Sequence, residues 1–262
     1  MSRWREKWES AGNEPHLRPP EGGAFRPDPA EQRATPVEKT SELDRLRDSV
    51  RSEPSLRGSE AGRTDRRRNY GAWLQKHSAR TSWGLSFLCV LLAGLCGGLF
   101  AVFGAFAVYF VASPATTIGV ITIVIIAPVS EEILKQSGMV YLLEFKPFRV
   151  RARWQVFLGG FIAALVFATI ENLLYIHVYV RPAEVDNFEA FVRYRWVVCT
   201  SLHVLCTLVT SIGLGLVWER IHRRHDPPDL QIAYPFFFIG MVLHGLYNLS
   251  VVLAESAGVP LF

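Results

Sequence analysis

Apolar and polar positions divide the chain into two unlike parts near residue 82. From Trp83 onward there are five apolar segments, each long enough to cross a bilayer, since a spanning helix needs about 20 mostly apolar residues. They cover residues 84–112, 117–143, 155–179, 196–218 and 233–254. The pattern predicts an all-α fold in which residues 83–262 form a polytopic bundle of about five transmembrane helices.

Residues 1–82 have the opposite character. They carry 17 Lys and Arg, 13 Asp and Glu and seven prolines, but few aliphatic residues, so they bury too little apolar surface to offset the entropy of ordering. We expect them to be a disordered, basic, proline-rich tail, with at most a marginal helix over residues 37–50. The charges are mixed in sign and accompany no recognition motif, so we do not expect a nucleic-acid partner. The sequence instead predicts that the cluster near the first span contacts anionic lipid; its members are Arg63, Arg66, Arg67 and Arg68.

The positions of basic residues near the span ends predict the orientation in the membrane. Cytoplasmic loops retain Lys and Arg, and the tail is rich in both. The loop at residues 113–115 has none, whereas the loop at 144–153 has Lys146 and three arginines. We therefore expect the tail and the second and fourth loops to be cytoplasmic and the C-terminus to lie outside. We expect the lipid bilayer to surround the five spans.

Four of the five predicted spans contain ionisable or strongly polar side chains. These are Glu131, Glu132 and Lys135 in the second span, Glu171 and Asn172 in the third, His203 in the fourth, and His244 and Asn248 in the fifth. A charged side chain at the bilayer centre costs about 2.5–3.5 kcal/mol on insertion scales, so these groups are expected to face one another or water. Lys135 follows the two glutamates by four and three residues, so its ammonium can lie over either carboxylate.

This set of groups suits acid–base chemistry on a water molecule. Two adjacent carboxylates in a low-dielectric site do not both ionise easily, so one is expected to keep a proton while the other accepts one. A structural ion pair with Lys135 and ordinary interhelical hydrogen bonds are the simpler explanations for the individual residues. Their joint presence favours a catalytic site. Counting along the spans, however, places Glu171 and His203 nearer the outer face than Glu131 and Glu132.

Four motifs in the spans resemble a known family. "SEEILK", "FATIENLLY", "RWVVCTSLHVLCTLVTSIGLG" and "LHGLYN" resemble, in order, the PrsW family of intramembrane proteases, relatives of the CAAX-type prenyl endopeptidases and of bacteriocin-processing proteins. The likeness extends over about residues 128–248. It implies an intramembrane endopeptidase in a plasma membrane of bacterial type. Its substrate would be a membrane-tethered protein such as a single-span anti-sigma factor.

The resemblance also implies roles for individual residues. Glu131 would activate the water with help from Glu132, and His244 with Asn248 is similar to a pair thought to form the oxyanion hole. Glu171 and His203 would complete the water-binding side, with Lys135 and Asn172 in support. The chain departs from the CAAX-type pattern, because Gln136 stands at its arginine position and Glu171 where histidine is common. Its charge pairing therefore need not follow that branch.

Three alternative functions use the same polar residues. Two histidines and three glutamates could ligate zinc, although no HExxH helix is present, and we expect neither a metal nor another cofactor. A proton-coupled transporter would use the carboxylates as a relay, but the sequence shows no internal repeat. A non-catalytic scaffold would use the polar core to bind a transmembrane partner. The sequence leaves the oligomeric state open.

Overall fold

The five-span prediction is confirmed by the architecture. The computed structural model describes residues 54–109, 116–182 and 185–258, without the side chains of residues 54–66 and 109. Within these ranges all regular secondary structure is helical, and five helices are long and apolar enough to cross a membrane. The contacts described below all lie in one compact unit, residues 62–262.

We number the helices α1 to α6 in chain order. The structure has α1 at Pro54–Ala79, α2 at Trp83–Tyr109, α3 at Thr117–Phe145, α4 at Arg153–Tyr179, α5 at Phe188–Arg224 and α6 at Tyr234–Ser256. Single 3₁₀ turns lie at Pro147–Arg149 and Leu230–Ala233. The largest difference from the predicted spans is in α5, which begins at Phe188 instead of residue 196.

The expected tail differs from the structure over its last part. Pro54–Ala79 forms α1, and Leu74 in this helix is 3% exposed and belongs to the hydrophobic core. Tyr70 packs against the same core, and its burial raises the pKa of its hydroxyl to about 12. Composition averaged over 82 residues conceals these few apolar side chains, which lie four residues apart on one helix face. Residues 1–53, including the predicted helix at 37–50, lie outside the described part of the chain.

Small residues let α2 lie very close to its two neighbours. A Cβ built on Gly97 would lie 2.2 Å from the carbonyl oxygen of Lys135 in α3, and one on Gly138 would lie 2.1 Å from that of Ala93. On the other side of α2, Gly94 and Gly98 contact carbonyl oxygens of α4 in the same way. Gly94 and Gly98, four residues apart, thus form the face of α2 that packs on α4. Together with Gly97 on the other side, they determine how closely α2 approaches α3 and α4.

Three of the spanning helices contain a turn of π-helix, at Thr122–Ile126 in α3, Tyr175–Tyr179 in α4 and Arg195–Cys199 in α5. In α3 the cause is local, because Pro128 has no N–H to donate to the preceding turn. The carbonyl oxygen that this N–H would have bonded must accept from another donor, because the bilayer core holds no water to satisfy it. Asn248 of α6 supplies one, since its Nδ2 donates to the carbonyl oxygen of Ile123 at 2.9 Å. The kinked part of α3 is thereby attached to α6.

One end of the bundle carries α1 and two of the loops. Trp73 of α1 packs edge-on against Phe148, and Arg67 pairs with Asp226 at 2.5 Å. In α5, the indole N–H of Trp218 donates to the carbonyl oxygen of Val150 at 2.8 Å. The segment before the first span and the second and fourth loops therefore lie at the same end, as the basic residues predicted. That this end faces the cytoplasm stays a prediction.

Candidate functional site

A cavity of about 720 Å³ lies among α2 to α6, and most of the predicted site residues line it. Its polar wall includes one carboxylate each from α3 and α4 and side chains from α5 and α6; these residues are Glu131, Glu171, His203, His244 and Asn248. The other three predicted residues, Glu132, Lys135 and Asn172, are completely buried behind this wall. Side-chain contacts connect seven of the eight, and the eighth, Asn248, lines the same cavity.

The ammonium of Lys135 is at the centre of the polar cluster. It has no exposed surface and lies 2.8 Å from Glu132 Oε1 and 3.6 Å from Glu131 Oε2. Its third polar neighbour is His203 Nδ1, at 3.1 Å, and the ring of Phe167 lies 4.2 Å away on another side. Because a buried charge must be paired and hydrogen-bonded, these contacts permit a lysine to stay in the middle of a transmembrane bundle.

The two adjacent glutamates have different surroundings. Glu132 accepts hydrogen bonds from Lys135 and, at 3.0 Å, from the hydroxyl of Thr207, and its Oε1 lies 3.3 Å from His244 Nδ1. Glu131 Oε2 is buried and has no hydrogen-bond partner, with His244 Nε2 at 3.8 Å. Buried polar atoms are nearly always satisfied, so an unsatisfied carboxylate oxygen beside a cavity is a place for water or substrate. Of the two, only Glu131 lines the cavity.

The second part of the site joins α4 to α5. Glu171 Oε2 lies 2.9 Å from His203 Nε2 and accepts from Arg195 Nη2 at 2.7 Å. The guanidinium also donates to Asn172 Oδ1 at 3.1 Å and lies 3.9 Å above the ring of Tyr175. Asn172 in turn donates to Thr200, so it links the two helices behind the cavity wall.

Arg195 is a site residue that the sequence analysis missed. The predicted fourth span began at residue 196, which assigned Arg195 to the preceding loop. A signal was present in its spacing, because it precedes His203 by eight residues, about two helical turns, on the same face. If the predicted fourth span had begun before Arg195, Arg195 and His203 would have appeared on the same helix face.

The predicted difference in depth between the two halves of the site is wrong. His203 contacts Lys135 on one side and Glu171 on the other, and its ring centroid lies 4.9 Å from that of His244. For His203 the reason is the length of α5: because the helix begins at Phe188, His203 lies further from its start than the predicted boundary implied. Glu171 lies in α4, which ends at Tyr179 as predicted, and it joins the site through its contact with His203.

Gln136 joins α3 to α5 at the position where the CAAX-type pattern has arginine. Its Nε2 lies 2.9 Å from the carbonyl oxygen of Thr207 and 2.7 Å from the hydroxyls of Thr210 and Ser211. The side chain is fully buried. These neutral polar residues escaped a search for charged side chains, although they fix the face of α5 that carries His203.

Three side chains of the site could offer atoms to a metal ion. One ligand atom each from Glu131, His203 and His244 lies within 4.8 Å of the others. Histidine nitrogen and carboxylate oxygen are donor types that zinc accepts, at about 2.0–2.2 Å. The donor types therefore agree with a divalent ion, and the neighbours of these atoms decide whether they are free to bind one.

Comparison with known proteins identifies the family. A family model described as "PrsW family intramembrane metalloprotease" matches residues 81–262, which include all five spans and every polar residue of the site. No curated protein and no solved structure matches the chain. The matched region exceeds half of the chain, and the chain belongs to the PrsW family of intramembrane proteases.

Proposed function

We propose that this protein hydrolyses a peptide bond of a membrane-tethered protein and that Glu131 activates the attacking water. Family membership supports the protease activity. The observation that supports Glu131 as the base is its buried Oε2, which has no hydrogen-bond partner in a residue that lines the cavity. A carboxylate in this position can bind a water molecule and remove its proton as the water attacks a carbonyl carbon.

His244 is the proposed donor to the oxyanion. Its Nδ1 lies 3.3 Å from Glu132 Oε1, which leaves Nε2 directed toward Glu131. In its protonated form the ring donates through Nδ1 to Glu132 and through Nε2 to the oxygen that becomes negative in the tetrahedral intermediate. Glu132 would then assist by orienting His244 and Lys135, while Glu131 performs the proton transfer.

The substrate we propose is a single-span protein, for example an anti-sigma factor, cleaved near the end of its span. The cavity reaches from Glu131 to Asp186 and Glu255, two exposed residues near helix ends. Apolar side chains such as Val102 and Val251 also line the cavity. Such a lining suits a peptide that passes from an apolar helix into water.

A substitution of one residue tests this proposal. Glu131→Gln retains the shape of the side chain and removes the base, and Glu144→Gln on the exposed face of the same helix is the matched control. Cells lacking the protein are complemented with either variant, and the single-span proteins in their membranes are quantified. We expect substrates to accumulate with Glu131→Gln and not with Glu144→Gln. Full processing by Glu131→Gln would reject Glu131 as the base. A non-catalytic scaffold would also keep its function in this variant.

A zinc-dependent peptidase is the second candidate. The proximity of ligand atoms from Glu131, His203 and His244 favours it. In that mechanism the metal would supply a Lewis acid for the water. Metal content measured on the purified full-length chain distinguishes the two candidates.

A further inference from the structure

His203 lacks a free nitrogen for a metal ion. The ammonium of Lys135 is only a donor, so His203 Nδ1, 3.1 Å away, accepts from it with its lone pair. The ring hydrogen then lies on Nε2, which donates to Glu171 Oε2 at 2.9 Å. For His203 to ligate a metal ion, either the contact with Lys135 or the contact with Glu171 must break.

The other two members of the set have no such obstacle. Glu131 Oε2 has no hydrogen-bond partner, and His244 reaches Glu132 through Nδ1, which leaves Nε2 free. Catalytic zinc sites generally use three protein ligands and one water molecule. Two ligands remain here, so the residues as arranged do not fit a resident divalent ion.

Lys135 is itself the reason for the misfit. Its ammonium lies 3.6 Å from Glu131 Oε2 and 3.1 Å from His203 Nδ1, the same two side chains that a metal ion would bridge. It is fixed there by Glu132 at 2.8 Å and has no exposed surface through which to withdraw. A divalent cation would have to displace it or share its ligands against like-charge repulsion.

We infer that Lys135 takes the cation position of this site, so that Glu131, His203 and His244 form a latent metal site closed by an internal ammonium. On this inference the chain has an ammonium where the "metalloprotease" of its family's description would have a metal ion. The positive charge that such a metal would place beside Glu131 and His203 comes from a side chain of the protein. Removing Lys135 should open the metal site.

Zinc and cobalt binding to the purified, untagged full-length chain tests this inference without a substrate, so its outcome is independent of the proposed peptidase activity. We expect wild type to retain less than about 0.1 equivalent of zinc after dialysis and to give no tetrahedral Co²⁺ spectrum. Lys135→Met should bind about one equivalent. Lys135→Met/Glu132→Gln should do the same, and it guards against misfolding because it removes a buried charge of each sign. Adding His244→Ala to either background should weaken binding at least about 100-fold.

Two results would overturn the inference. One is stoichiometric zinc in wild type that is lost in His244→Ala, because Lys135 would then not exclude the metal. The other is a folded double variant, monodisperse in detergent, that binds no more zinc or cobalt than wild type, because something other than Lys135 would then close the site.

Discussion

The side-chain amide of Asn248 donates to the carbonyl oxygen of Ile123 at 2.9 Å, which ties α6 to the π-helical turn of α3. Glu131 lies eight residues beyond Ile123 on the same helix, about two turns away. Gly245 adds to this attachment, because a Cβ there would lie 2.5 Å from the carbonyl oxygen of Val124. Asn248 thus has a structural contact in addition to its place on the cavity wall.

We predict that Asn248→Ala and Asn248→Leu both destabilise the protein by about 1 kcal/mol, near the usual value of an interhelical hydrogen bond in membranes. Neither side chain can donate to Ile123, and the displaced α3 turn should lower cleavage at least about tenfold through Glu131. Thermal unfolding in detergent and substrate processing are the measurements. Ser250→Ala on the same helix is the control, since its hydroxyl is exposed and donates only within α6. Unchanged stability in both Asn248 variants would show that this hydrogen bond contributes no stability. Asn248 would then keep only the role at the oxyanion that the family resemblance implies.

Close packing of α2 on α3 gives a second prediction. Gly138→Ala places a Cβ 2.1 Å from the carbonyl oxygen of Ala93, and a helix backbone has no flexible end that can move aside. The helices must separate, and overpacking of this kind costs about 1–3 kcal/mol. Gly84→Ala is the matched control, because nothing lies within 4 Å of its Cβ. Melting temperatures in detergent should fall for Gly138→Ala and stay the same for Gly84→Ala; equal values would contradict the packing.

The spans and the principal polar residues could be predicted because each depends on composition alone. A run of apolar residues must be helical in lipid, and Glu131, Glu171, His203 and His244 are costly there unless they meet. The functional assignment came from motif resemblance, which the family match supports.

The remaining features depend on geometry that composition does not determine. Arg195 appeared to be a loop residue until the structure extended α5 to Phe188. The different surroundings of Glu131 and Glu132 depend on how α3 is rotated about its axis. Their adjacent positions in the sequence do not reveal which of the two faces the cavity. Leu74 and Tyr70 are too few to change the average of a polar segment, yet they fasten α1 to the core.

A third prediction concerns the Arg195–Glu171 pair. Removing one partner of a buried ion pair costs about 3–5 kcal/mol, because the other charge stays buried without compensation. Arg195 and Glu171 are 11% and 18% exposed, so we expect the lower end of that range or somewhat less for Arg195→Gln. The double variant Arg195→Gln/Glu171→Gln should recover much of the stability but not the activity, because His203 still lacks its charged acceptor. A double-mutant cycle by thermal unfolding measures the coupling, and additive effects would show that the contact contributes no stability.

A fourth prediction tests how α1 is attached to the bundle. Asp226 is 8% exposed and lies between two guanidinium groups, with Arg67 Nε at 2.5 Å and Arg220 Nε at 3.3 Å. Asp226→Asn removes the charge that both arginines share. Because Arg67 is half exposed, we expect a loss of only about 1 kcal/mol, smaller at high salt. That loss should raise the rate of backbone hydrogen exchange in residues 67–79 about fivefold, measured by mass spectrometry. Asp229→Asn is the control, since Asp229 is 38% exposed and forms its ion pair with Arg220, at 3.5 Å, without touching α1. Its other contact, a hydrogen bond from the backbone N–H of Gln231, is one that asparagine can also accept. Equal exchange in the two variants would show that the aromatic contact of Trp73 with Phe148 and the burial of Leu74 hold α1 without help from Asp226.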